Sequence, residues 1–143
     1  MPTYSNGVPM KIGDWVKVWS PSGVWHHGIV FRMTFASWGM GYVEIINNVK
    51  AGGITVSDWN QFSGGRLVFL VKQASSPAHV EQILARAESS LGKPYNLFGQ
   101  NCEHFASFAF NGKPQSDSIR LLGAVAAGVV IVKLLGNSAA QRS

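Results

Sequence analysis

The chain has a single cysteine, in Asn101-Cys102-Glu103-His104-Phe105, and apolar or small residues follow it at Phe105, Ala106 and Ala109. That is the i, i+3, i+4, i+7 spacing of a helix with one buried face, and Cys102 lies on the stripe. Asn101 is a favourable N-cap and Gly112 with Pro114 a stop, so a helix is expected from about 102 to 111. The unpaired N–H groups and partial positive charge of a helix start stabilise a thiolate and hold an oxyanion. Cys102 therefore stands where a nucleophile would stand. The alternative is a small core side chain, the fate of most lone cysteines.

A cysteine nucleophile needs an imidazole within reach to take its proton. The chain has four: His26, His27, His79 and His104. His104 follows Cys102 by two positions, about 200° around the helix, so it is expected to anchor the helix instead. His79 falls in the first turn of another expected helix and reads as solvent-facing. His26 and His27 lie in Trp25-His26-His27-Gly28-Ile29-Val30-Phe31, a stretch that reads as a buried strand. An imidazole there has few reasons to be present unless hydrogen-bonded or used. Strand alternation puts the two on opposite faces, so only one can meet Cys102, and periodicity does not choose because both faces are apolar.

Gly13-Asp14-Trp15-Val16-Lys17-Val18, then His26-His27-Gly28-Ile29-Val30, then Asn101-Cys102-Glu103-His104-Phe105 resembles the lecithin:retinol acyltransferase-like family. This family includes the HRAS-like suppressor phospholipases and acyltransferases and is a circularly permuted relative of the NlpC-type cysteine peptidases. The resemblance covers residues 11–112, with the Asn-Cys-Glu-His-Phe motif its most specific part. It implies that Cys102 is the nucleophile and that His26, the first His of the strand motif, is the base, with His27 at the variable position.

The resemblance also implies a polar residue on the next strand that orients the base. Twelve positions after His26, where animal members have it, stands Trp38, and the hairpin looks longer. Counting back from Gly52-Gly53, which resembles a turn of bacterial members, Asn47 is the candidate and Glu44 the alternative. An amide can accept the imidazole N–H and fix its tautomer. Either residue could equally be a solvent-facing strand position.

The elements that must position these groups follow from pattern. Strands are expected at 14–19, 24–35, 41–47 and 67–72, with Ser20-Pro21-Ser22-Gly23 and Ser37-Trp38-Gly39 as turns. Ser57-Asp58-Trp59-Asn60-Gln61-Phe62 fits one helical turn closed by Gly64-Gly65. A longer helix starts at the Ser76 cap and Pro77, with Val80, Ile83, Leu84, Ala87 and Leu91 as apolar stripe, Glu81, Arg86 and Glu88 outward, and Gly92 as stop. The fold class is α+β: an antiparallel four- to five-stranded sheet packed against helices, one with the nucleophile at its N-terminus, in the permuted papain-like, NlpC-like manner.

At 143 residues the chain fits one core, with a catalytic domain over residues 1–113 and an apolar helical tail over residues 114–143. One cysteine excludes an internal disulfide, and the first residues lack the basic and apolar regions of a secretory signal, so cytoplasmic residence is expected. The net charge of +5 and pI near 9.7 favour anionic surfaces without selecting among them. There is no zinc spacing, phosphate-binding glycine loop or nucleic-acid motif, so neither metal, cofactor nor nucleic acid is expected.

Residues 121–132 (LLGAVAAGVVIV) carry no charge, and Lys133 then precedes two leucines. A spanning helix needs roughly 20 apolar residues. Three placements compete: packed on the domain, lying in a membrane interface, or entering a bilayer. Family members with hydrophobic C-terminal segments favour a membrane surface engaged through residues 119–135. The expected activity is a thiol-dependent acyltransferase or phospholipase acting on an acyl lipid through a Cys102 thioester. The rivals are an NlpC-type peptidase or amidase and an inactive membrane- or protein-interaction module.

Overall fold

A computed structural model describes residues 2–35, 41–94 and 102–112. Five strands, β1 (Trp15–Trp19), β2 (Trp25–Phe35), β3 (Gly41–Val49), β4 (Gly53–Asp58) and β5 (Val68–Lys72), form one antiparallel sheet in the order β4-β3-β2-β1-β5. Helix α1 (Trp59–Ser63) follows β4, and α2 (Pro77–Ser89) and α3 (Cys102–Asn111) complete the described elements. The α+β class is therefore as the sequence implies. β4 is the strand that pattern reading missed: Gly53 at φ +71° and only two large aliphatic residues, Ile54 and Val56, leave a weak strand signature.

Both faces of the sheet are covered, each by a different part of the chain. On one, Trp15, Ile29, Ile46 and Ile54 pack against Ile83 and Ala87 of α2 and Phe105, Ala106, Ala109 and Phe110 of α3. On the other, Val16, Val18, Val30, Val43 and Ile45 meet Tyr4 and Met10 of the N-terminal segment and Phe62 of α1. Burial on both faces explains why the strands read as apolar runs instead of clean alternation. Asp14 ties the N-terminal segment down: its Oδ2 accepts from Tyr4 Oη at 2.6 Å, Lys11 N at 2.9 Å and Gln73 Nε2 at 3.2 Å.

The helices begin and end as local chemistry dictates. Asp58 and Gln61 form a reciprocal capping box on α1, which Gly64 closes at φ +58°. Ser76 caps α2 by accepting from His79 N at 3.0 Å, with Pro77 at its first position. α2 ends at Ser89, so Leu91 falls outside the helix and is exposed instead of extending the buried stripe.

Two residues expected to face solvent are instead the clamp between α2 and α3. Arg86 Nε donates to Ala109 O at 2.9 Å and Nη2 to Phe110 O at 3.2 Å. His79 Nδ1 accepts from Ser75 N at 3.0 Å, so its Nε2 carries the proton and donates to Phe110 O at 2.9 Å. These donors satisfy carbonyls that the end of α3 leaves unpaired, and Arg86 adds positive charge at the negative end of the helix dipole. The clamp fixes the far end of the helix whose near end bears Cys102.

Candidate active site

Cys102 opens α3, and Phe105, Ala106, Ala109 and Phe110 press that helix onto the sheet beside Trp15. The preceding residues 95–101, including the expected cap Asn101, lie outside the described residues, as does Trp38. β3 pairs with β2 from Gly28 onward. The Trp25 carbonyl and the His27 N–H lie on the same edge beyond that pairing, and the sulfur meets them there. Cys102 Sγ donates to Trp25 O at 3.4 Å, and the His27 N–H interacts with it from the neighbouring peptide. Sγ thus sits level with His26, between the two peptide groups that flank it.

Burial pushes the Cys102 thiol above its ordinary value, while the N–H groups of His27, Glu103 and Cys102 itself pull it down by less, and the Glu103 carboxylate adds to the rise. The helix start therefore lowers the cost of a thiolate without producing one at rest. Chemistry at this sulfur needs a base.

The two candidate bases project from opposite faces, as alternation requires. His27 is on the face that packs against α2 and α3 and is 7% exposed. Its Nδ1 accepts from Trp15 Nε1 at 2.9 Å, which leaves the proton on Nε2. Burial, with help from Lys17 and His26, lowers its pKa to about 4. Its one basic nitrogen is occupied, so His27 is a structural residue of the α3 face. Sequence reading missed this bond; its signal is the antiparallel pairing of a tryptophan strand with a histidine strand.

His26 lies on the other face, its ring 5.2 Å from that of Phe62 in a tilted arrangement. Expectation had brought its face to the cysteine helix; the register instead gives that face to His27, because α3 follows Trp15 and Ile29. Among the described residues His26 makes no side-chain hydrogen bond, and no imidazole is hydrogen-bonded to Sγ. Burial lowers the His26 pKa below the ordinary imidazole value, which keeps the ring neutral at neutral pH. A half-buried, unprotonated imidazole with a free lone pair is chemically a base.

Asn47 pairs with Gly28 and so shares the face of His26, as its diagonal neighbour. It is 1% exposed, its Oδ1 accepts from Ser57 Oγ at 3.3 Å, and its buried Nδ2 has no partner among the described residues. A solvent-facing strand position is excluded for it. Glu44 is on the opposite face, bound to Arg32 Nη1 at 2.7 Å opposite the far half of β2, and does not approach His26. Gly28 lies between His26 and Val30 for a steric reason. A Cβ there would come within 2.5 Å of Ile45 Cγ2 and 2.9 Å of Phe62 Cε1.

No group of His, Cys, Asp and Glu side chains among the described residues is arranged to hold a metal ion. Nor is any described helix long and apolar enough to cross a membrane. Comparison with curated proteins gives no match. A family model, lecithin retinol acyltransferase, matches residues 9–115, from the N-terminal segment before β1 to just past the cysteine helix. That span holds the whole described sheet, both imidazoles of β2 and the helix that begins at Cys102, and the chain belongs to the lecithin retinol acyltransferase family.

Proposed function

We propose that the protein is a thiol-dependent acyltransferase or phospholipase that takes an acyl chain from a lipid onto Cys102. Family membership supports acyl chemistry of the acyltransferase or phospholipase type. The observation that carries the residue assignment is the seat of Sγ between the peptide groups on either side of His26. His26 is the base because it keeps its lone pair, whereas His27 has given its own to Trp15. A turn of the His26 side chain around the edge of β2 brings its ring to the sulfur; catalytic hydrogen bonds often form only with substrate bound.

In this mechanism His26 takes the Sγ proton, the thiolate attacks the ester carbonyl, and a C–S bond replaces the ester C–O bond. The leaving alcohol departs with the proton from the imidazolium. The N–H groups at the start of α3 and of β2 stabilise the oxyanion. Water or an acceptor alcohol or amine then attacks the thioester, gives its proton to His26 and releases the thiol. Asn47 orients the imidazole. A half-turn of its amide presents Oδ1 to the ring N–H, and Ser57, whose hydroxyl donates or accepts, stays bonded either way.

Intact-mass measurement after incubation with phospholipid vesicles tests this reading. One acyl increment on the wild type, absent from Cys102→Ala, is expected; an increment from a peptide panel alone would assign the site to peptidase chemistry. The second reading, a non-catalytic module, draws on the thiol being bonded to backbone and raised in pKa. It predicts no acyl adduct with any donor.

A further inference from the structure

We infer that the aromatic surface formed by Trp19, Trp25 and Phe69, with Leu67 at its margin, docks on a phospholipid bilayer bearing anionic headgroups and sets Cys102 at the lipid surface. Trp25 is edge-on to both Trp19, at 5.1 Å between ring centroids, and Phe69, at 5.8 Å. These rings are 47%, 36% and 39% exposed for Trp19, Trp25 and Phe69, and Leu67, one residue before β5, is 64% exposed. A contiguous apolar surface of this kind on a small domain marks an interaction site, and indole rings prefer the boundary between water and lipid.

Charge selects the partner. β1, β2 and β5 contain no acidic residue, Lys17 lies 4.2 Å over the Trp25 ring, and Arg66 immediately precedes Leu67. Cations among aromatic rings complement lipid phosphates and anionic headgroups. Position supplies the reason: Trp25 gives its ring to the surface and its carbonyl to Cys102 Sγ. A bilayer against the rings would therefore lie beside the thiol, and the inference deepens the acyl-lipid reading on which it rests.

The test uses the full chain and vesicles of phosphatidylcholine and phosphatidylserine at about 3:1. Because residues 121–132 form a second apolar run, the readout is the difference between variants. Trp19→Ser/Leu67→Ser is expected to weaken vesicle affinity by roughly tenfold or more, and Lys17→Glu to weaken it on anionic vesicles but not on phosphatidylcholine alone. Brominated lipid is expected to quench wild-type tryptophan emission, which checks docking without any variant. Unchanged affinity in the double variant, or no quenching, overturns the inference. So does lipid-free self-association that the double variant abolishes while vesicle affinity stays constant, which would assign the surface to a second copy. Turnover of a water-soluble short-chain ester reports the Cys102 chemistry separately and is expected to survive the double variant.

Discussion

His26 and His27 are adjacent on one strand, yet the sheet sends them into opposite environments. His27 points into the layer shared with α2 and α3, where Trp15 occupies its only lone pair. His26 points to the layer closed by α1, beside Phe62 and diagonal to Asn47, and its ring makes no hydrogen bond among the described residues. Both rings are neutral at neutral pH because burial lowers both pKa values, so charge does not separate their roles. Hydrogen bonding does: a lone pair already given to an indole stabilises the fold, and a free one is available to take a proton. The contrast teaches that proximity to the helix bearing a nucleophile is not what makes a base.

The largest expected effect is at the sulfur that rests against the β2 backbone on either side of His26. Cys102→Ala should lower acyl transfer by about 10³-fold or more and leave the melting temperature nearly unchanged, measured by product release and by calorimetry. Next comes the pair itself. His26→Ala should cost about 10²–10⁴ in kcat with the fold intact. His27→Ala should instead lower stability by about 1–3 kcal/mol, because the Trp15 N–H is left buried and unpaired. Equal kinetic losses in the two variants, or a stability loss confined to His26→Ala, would invert the assignment.

Acid sharpens the comparison. His27 has a folded pKa of about 4 against about 6.5 unfolded, so the unfolded chain binds the proton first as pH falls. Stability is therefore unaffected above about pH 6.5 and declines from there towards about pH 4, by roughly 3 kcal/mol at most for this group. The lowered pKa values of His26 and His104 act in the same direction. Urea titrations across that window should show the decline, and His27→Asn should flatten it. A smaller effect is expected at Asn47: Asn47→Ala should reduce kcat by on the order of tenfold and move the acid limb of the rate profile, whereas a purely structural amide would leave that limb in place. The smallest is Arg86→Ala, which unpairs the last carbonyls of α3 and should cost about 1 kcal/mol.

Helices α2 and α3 were legible because Ser76, Pro77 and the i, i+3, i+4 stripes are local signals, read within one turn. The β1–β2 hairpin was legible from its turn residues and aromatic content. β4 was not, since a strand opened by glycine with two large aliphatics resembles a loop until β3 pairs with it. His79 and Arg86 were misjudged for the same reason: their partners, the carbonyls of Ala109 and Phe110, lie more than twenty residues away.

By itself the sequence determined that the lone cysteine starts a helix, that two imidazoles share a strand on alternate faces, and that the motifs resemble one acyltransferase family. Those are consequences of spacing, capping and periodicity, which act over a few residues. Only the tertiary structure decided which imidazole is locked, that Asn47 is buried with its amide bonded to Ser57 while Glu44 is turned away, and where Sγ rests on β2. These depend on strand register, and register is set by which residues the whole sheet can bury on each side.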